Sequence, residues 1–181
     1  MVLADYNDKN YDYTKYWQGR DYENASEFIA LEKLLPSFYD ESKKVIDVGG
    51  GFGRLLPILK ERFGVIYIFD YSKKLLETAE GNAGKLGIKI TIVNGDVNEI
   101  SSLVEERFDF VTMIRVSHHL EDLEKAFLQI REILNDNGVF ILEVANKIHF
   151  KSLISNIIKG NIEYLNKDSV SVATKDVTFL N

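Results

Sequence analysis

Acids and glycines recur where a polar ligand could be held: Asp47-x-Gly49-x-Gly51-x-Gly53, then Asp70-Tyr71, then Asn94-Gly95-Asp96-Val97, with Arg115-Val116-Ser117-His118-His119 following. Each group suggests its own chemistry. The glycines let the chain turn sharply and leave no Cβ between backbone and ligand. Asp70 closes the apolar run Val65–Phe69, where a carboxylate can accept from both ribose hydroxyls of an adenosine ligand. His118 and His119 have the intrinsic pKa of a general base. Taken alone, Asp96 reads as a helix cap, because Val97, Ile100, Leu103 and Val104 form a short amphipathic helix after it.

Two other glycine grammars fail. A dinucleotide turn needs G-x-G-x-x-G. Counted from Gly49 the last glycine falls on Arg54, and from Gly51 on Leu56. The phosphate loop G-x-x-x-x-G-K-[ST] is absent as well. A nicotinamide-dependent oxidoreductase is therefore disfavoured.

Positioning these residues requires a scaffold that gathers strand ends. The spacing predicts a helix from about Ser26, its cap, to Tyr39, with Phe28, Leu31, Leu34, Leu35 and Phe38 inward. Strands follow at Val45–Val48, Val65–Phe69, Ile88–Val93, Phe108–Ile114 and Val139–Leu142, apolar on both faces as buried parallel strands are. A helix from Leu55 to about Arg62 would aim unpaired N–H groups at the ligand. Ser72 caps the next helix, with Leu75, Leu76 and Ala79 inward, and a later one carries Leu123, Phe127, Ile130 and Leu134 on one face. Asn135-Asp136-Asn137-Gly138 turns the chain. Residues 147–165 read as helical, with Phe150, Leu153, Ile154, Ile157 and Ile158 inward, and Ser169 to Thr174 as a strand or extended arm. Five β–α units predict an α/β class, a doubly wound, mostly parallel sheet flanked by helices. In such a sheet the ligand sits at the carboxyl ends of the strands, at the switch in strand order. Three segments are expected: an aromatic-rich arm over residues 1–24, the α/β core over 25–146, and a helical and extended tail over 147–181. The arm carries Tyr6, Tyr11, Tyr13, Tyr16, Trp17 and Tyr22. It reads as rings packed on the core, or as a lid in which Arg20 offers a fork of donors to a carboxylate.

The Asp47–Gly53 motif resembles the cofactor-binding motif of class I S-adenosylmethionine-dependent methyltransferases. Over about residues 12–146 the chain is similar to the small-molecule group that includes quinone-modifying enzymes. The resemblance implies a Rossmann-like methyltransferase fold, S-adenosyl-L-methionine as cofactor and S-adenosyl-L-homocysteine as product. It assigns Asp47, Gly49, Gly51 and Gly53 to the cofactor loop, Asp70 to the ribose, and Tyr71 to the adenine face. It also implies that Asp96 accepts from the adenine amino group and that the Val97 N–H meets the ring. Arg20 and Arg115 join the cofactor-binding set, and the region from Arg115 to His119 meets the substrate. His118 and His119 are then the catalytic candidates when the acceptor is a hydroxyl or acidic carbon; His149 has no supporting context. The fold usually closes with one more helix and an antiparallel hairpin on the fifth strand's edge, which this sequence does not display. The expectation is a truncated chain, or an edge covered by a partner chain, as in a homodimer.

Composition narrows the rest. At 181 residues the length prior gives one domain, and 45% hydrophobic with 28% charged residues is ordinary for a soluble globular protein. No apolar run approaches a membrane span, and there is no cysteine for a disulfide, a thiolate metal site or a nucleophile. A cytoplasmic protein without a metal centre is expected. The net charge of −6 gives no basic footprint for nucleic acid. Amino methylation of bases uses an Asn/Asp-Pro-Pro-aromatic motif where this chain has Ile114-Arg115-Val116-Ser117, and Arg115 also stands where metal-dependent catechol-type enzymes keep a carboxylate. The remaining acceptors are a small molecule, a protein side chain or a structured RNA, in that order. The alternative from another class is a non-catalytic module that binds S-adenosylmethionine or its product as a partner or regulatory subunit.

Overall fold

A computed structural model describes residues 13–144, together with 154–155, 157–160, 170–171 and 178–179. The described residues begin with a 3-10 turn over Tyr13–Trp17 and helix α1 over Asp21–Leu34. Alternating strands and helices follow. They are β1 Asp40–Val48, α2 Leu56–Leu59, β2 Phe63–Asp70, α3 Lys73–Lys85, β3 Thr91–Asn94, α4 Ile100–Leu103, β4 Phe108–Met113, α5 Leu123–Ile133 and β5 Leu134–Leu142. The five strands form one sheet in the order β3-β2-β1-β4-β5, with every neighbouring pair parallel. This is the expected doubly wound sheet. Strand order reverses direction between β1 and β4, which marks the ligand position for such sheets. Two short strands, β6 Val170–Ser171 and β7 Thr178–Phe179, form a separate antiparallel pair.

Burial on both faces explains the unbroken apolar runs. One core cluster packs α1, α2 and α3 onto the sheet through Leu31, Leu56, Leu59, Leu76 and Ala79. The other packs α4 and α5 through Ile100, Ala126 and Ile130 against Ile46, Phe69 and Phe108. Val45 and Ile46 are adjacent in β1 and fully buried on opposite sides, so no polar residue could replace either without a desolvation cost.

Several boundaries differ from the sequence expectation. Helix α1 begins at Asp21, and Ser26 is not its cap: the Ser26 hydroxyl donates to the Tyr22 carbonyl inside the helix. Asp21 and Glu23 in the first turn complement the helix dipole. The helix stops early because Pro36 disfavours helical dihedrals at Leu35, which is extended. Phe38, expected inward, is consequently 83% exposed, and Leu34 is exposed too. Helix α2 spans four residues and not eight. Its first donors are spent locally, Leu56 N–H to Gly53 O at 3.1 Å and Ile58 N–H to Leu55 O at 3.0 Å, so they are not offered to a ligand. Strand β3 is shorter than expected, running only where it pairs with Tyr67–Asp70. The turn expected at 135–138 is a bulge inside β5, since Phe108 pairs with Leu134 and Phe110 with Val139. The expected helix over 147–165 lies largely outside the described residues; Ile154, Ile157 and Ile158, expected inward, are exposed. Of the expected strand or arm at 169–174, only Val170–Ser171 is described.

Leu59→Ala, at a position with no exposure, should lower the unfolding free energy by about 2–5 kcal/mol. Phe38→Ser should change it by no more than about 0.5 kcal/mol. Urea denaturation of the two variants checks both values; a large loss at Phe38 would contradict its exposure.

Candidate active site

A cavity of about 450 Å³ opens at the carboxyl edge of the sheet, over the ends of β2, β1 and β4. Of the residues singled out by sequence, Gly49, Gly51, Asp70, Tyr71, Asp96, Val97, Arg115 and His119 line it. Asp47, Gly53, Arg20 and His118 are not among the lining residues. Val48, Phe69, Leu75, Ile114, Val116 and Leu120 supply apolar wall, and Tyr13 reaches it from the N-terminal arm.

The loop after β1 is shaped by necessity. Gly49 has φ +71, and a Cβ there would lie 2.2 Å from Val116 Cγ2, so only glycine lets this loop touch the end of β4. Gly51, at φ +53, donates its N–H to Asp70 Oδ2 at 2.8 Å, and Asp70 Oδ1 accepts from Ser72 N–H at 2.7 Å. Burial pushes the Asp70 carboxyl above its usual range, and these two backbone donors offset only part of that. An ionised carboxylate has about four acceptor sites, so the two backbone bonds leave capacity for two hydroxyls. Asn94 Nδ2 donates to the carbonyls of Asp70 and Tyr71, at 3.0 and 2.8 Å, and fixes the turn that carries Tyr71 to the rim. Asp96 does cap the 3-10 turn Val97–Glu99, accepting from Asn98 N–H at 2.8 Å, and it lines the cavity as well.

Asp47 lies beneath the loop, only 3% exposed, and accepts from Thr112 Oγ1 at 2.7 Å across the β1–β4 seam. Burial pushes its carboxyl up to about 7, against the pull of the Thr112 hydroxyl and the more distant Arg54. Arg20 sits on the surface, its guanidinium 4.2 Å from the Tyr16 ring and 3.9 Å from Glu23.

Arg115 is the non-glycine residue with positive φ, +61, among the described residues. Such a conformation costs on the order of 1–3 kcal/mol and persists where neighbours impose it. Here the Glu143 carboxyl accepts from the Arg115 backbone N–H, and the guanidinium reaches Glu27 and the Tyr16 hydroxyl. Sequence reading missed Glu27, Arg54 and Glu143. Their signal was indirect: two arginines, one beside the glycine loop and one at a strand end, require buried counter-charge from elsewhere in the chain.

His118 and His119 occupy a 3-10 turn, with ring centroids 4.1 Å apart. His119 lines the cavity; His118 does not. Burial first, then the His119 ring and the Arg115 charge, push His118 down to about 4. The unfolded chain therefore takes up a proton near 6.5 that the folded chain refuses until about 4. Stability should fall as pH drops through that window, and His118→Asn should flatten this part of the profile. NMR titration should place the His118 transition near 4 in the folded chain; a transition near 6.5 would contradict its burial.

Residues 46–142 match the family model described as a methyltransferase domain. The chain is 29% identical over 130 residues to a ubiquinone biosynthesis O-methyltransferase of Rickettsia canadensis, covering 71% of this chain and 53% of that protein. It is 27% identical over 143 residues to an uncharacterised protein of Methanocaldococcus jannaschii, covering 78% and 53%. It thus spans about half the length of these curated relatives. An S-adenosylmethionine-dependent methyltransferase from Clostridium acetobutylicum shares the fold with a TM-score of 0.61 at 23% identity, over 78% of this chain and 61% of that one. The YcgJ protein of Bacillus subtilis does so with a TM-score of 0.60 at 20% identity, over 75% and 58%. The family match takes in the Asp47–Gly53 loop and every strand end around the cavity, and this chain belongs to the class I S-adenosylmethionine-dependent methyltransferases.

Proposed function

We propose that the chain transfers the methyl group of S-adenosyl-L-methionine to a small-molecule acceptor, in the cavity above β1 and β4. The observation that carries this reading is convergence. Gly49 and Gly51, Asp70 and Tyr71, Asp96 and Val97, and Arg115 and His119 come from four successive strand ends and line one cavity. Its volume, about 450 Å³, lies within the range of small-molecule sites, and its mostly apolar wall with a few converging polar groups is their usual make-up.

The residues fit the cofactor. The close approach of Gly49 to Val116 leaves backbone where a side chain would block the floor. Asp70 retains acceptor capacity for the ribose hydroxyls, Tyr71 offers a ring for the adenine face, and Asp96 and the Val97 N–H, on the same cavity wall, are the groups for the adenine edge. The Arg115 guanidinium is committed to Glu27 and Tyr16, so its contribution is to wall shape more than to direct pairing with the cofactor. When bound, S-adenosylmethionine supplies an activated methyl group on a sulfonium centre. The chain's own task is then to bring the acceptor atom to near-attack distance and exclude water. His119, at the cavity wall beside Leu120, takes the proton where the acceptor is a hydroxyl; His118 stays neutral beside it and spares the pair a second charge. The name of the Rickettsia relative, an O-methyltransferase, supports an oxygen acceptor.

Calorimetry with S-adenosylhomocysteine and with NAD on the same sample tests the cofactor. Heat with the first and none with the second is expected, and the reverse would sink the reading. Asp70→Ala should weaken cofactor binding by about 1–3 kcal/mol. An unchanged affinity would remove Asp70 from the site. A methyl-transfer screen over phenols, amines and carboxylic acids then identifies the acceptor class.

A further inference from the structure

Two arginines, Arg115 on the cavity wall and Arg54 just past the glycine loop that forms another part of it, meet on the same carboxylate. Arg54 follows the glycine loop directly, and Arg115 ends β4. Glu27, in the second turn of α1, accepts from Arg54 Nη2 on Oε2 at 2.7 Å. Its Oε1 accepts from Arg115 Nε at 2.6 Å and also from Arg115 Nη2. All three side chains are shielded, with exposures of 18% for Glu27, 13% for Arg54 and 24% for Arg115.

The arm is built into the same cluster. The Arg54 and Arg115 guanidiniums stack on the Trp17 ring at 4.2 and 4.8 Å, and Arg115 Nη1 donates to the Tyr16 hydroxyl at 3.1 Å. Asn24, one turn before Glu27, accepts from Arg54 Nη1 at 2.8 Å. Tyr13 stacks on Tyr16, packs against Phe52 of the glycine loop and lines the cavity. The 3-10 turn is therefore held on the core by aromatic rings over two guanidiniums, and one carboxylate keeps those guanidiniums in place.

We propose that Glu27 is a positioning residue that ties the N-terminal arm to both walls of the ligand cavity, so that arm docking and ligand binding form one coupled equilibrium. This rests on reading the cavity as the S-adenosyl site. The route is physical. Without the Glu27 charge, two guanidiniums stacked on one indole lose the carboxylate that bridges them, and Arg115, still held at its backbone N–H by Glu143, loses the contact that fixes its guanidinium. Val116, the next residue, packs its Cγ2 on Gly49. A shift at Arg115 is thus transmitted to the loop on the other wall, and Arg54 moves that loop directly. Coupling is reciprocal: ligand that braces the walls must strengthen arm docking by the same factor.

Trp17 is the only tryptophan in the chain, so its emission reports the arm. In wild type, acrylamide quenching of Trp17 should be weak and should weaken further on adding S-adenosylhomocysteine. Glu27→Gln, with far-UV circular dichroism confirming a folded chain, should raise ligand-free quenching. It should also weaken S-adenosylhomocysteine binding about tenfold or more by calorimetry. A purely structural role would lower the Tm and leave both the affinity and the quenching of the folded chain unchanged; that result overturns the inference. If Glu27→Gln does not fold, Tyr16→Phe removes only the hydroxyl that accepts from Arg115. It should weaken binding about two- to threefold, and unaltered affinity there overturns the coupling equally. A wild-type chain that bound no S-adenosylhomocysteine would instead overturn the assignment of the cavity itself.

Discussion

Everything at the ligand edge depends on β1 being buried on both faces between two parallel neighbours. Val45, Ile46 and Val48 have essentially no exposure, so β1 cannot be an edge or a half-solvated strand. Parallel neighbours need crossover helices, and crossovers of one hand put α1, α2 and α3 on one side and α4 and α5 on the other. All the carboxyl ends then fall on one edge. The order β3-β2-β1-β4-β5 splits the outgoing connections at β1 and β4, which opens the space that the glycine loop and the end of β4 enclose.

That edge is also where the chain keeps its buried carboxyls, and each is held differently. Asp47 is sealed under the loop with a hydroxyl partner, and desolvation dominates it. Asp70 is partly buried at the cavity wall and accepts two backbone N–H groups, which offset part of the desolvation cost and close the loop onto β2. Glu27 is bridged by the Arg54 and Arg115 guanidiniums, while the Glu143 carboxyl is pushed up by burial and by Glu27 against the pull of those two charges and the Arg115 backbone N–H. A partly shielded Arg–Glu–Arg cluster gives little net stability, since desolvation offsets most of the attraction. Its usefulness is geometric: guanidinium forks fix orientation in a way that a methylene contact cannot. The strained backbone of Arg115 is the visible cost of that geometry.

Much of this was legible beforehand because the controlling signals are local. A two-sided apolar run predicts a buried parallel strand, and an acid or glycine immediately after it must lie at the carboxyl edge. That logic places the glycine loop, Asp70, Asp96 and the His118–His119 turn at the carboxyl edge from the sequence alone. Helix ends were read less well. Ser26 has the chemistry of a cap, but Asp21 and Glu23 extend the first turn upstream of it, and Pro36 cuts the far end short. Phe38 looked like a core residue by spacing and is a surface residue because the helix no longer exists there.

By itself the amino-acid sequence determined the buried strands and the edge at which their carboxyl ends gather, because both follow from residues adjacent along the chain. Only the tertiary structure decided how the charged side chains are shared. Arg115 reads as a ligand-facing cation, yet its guanidinium turns to Glu27, a residue 88 positions away, and to Tyr16, 99 away. Arg20, which reads as a carboxylate fork, stays on the surface against Tyr16 and Glu23. His118 and His119, chemically identical neighbours that are both partly buried, are separated by position: His119 lines the cavity and His118 does not. Long, flexible, charged side chains and solvent exclusion both depend on what packs beside them in space, and no local spacing encodes that.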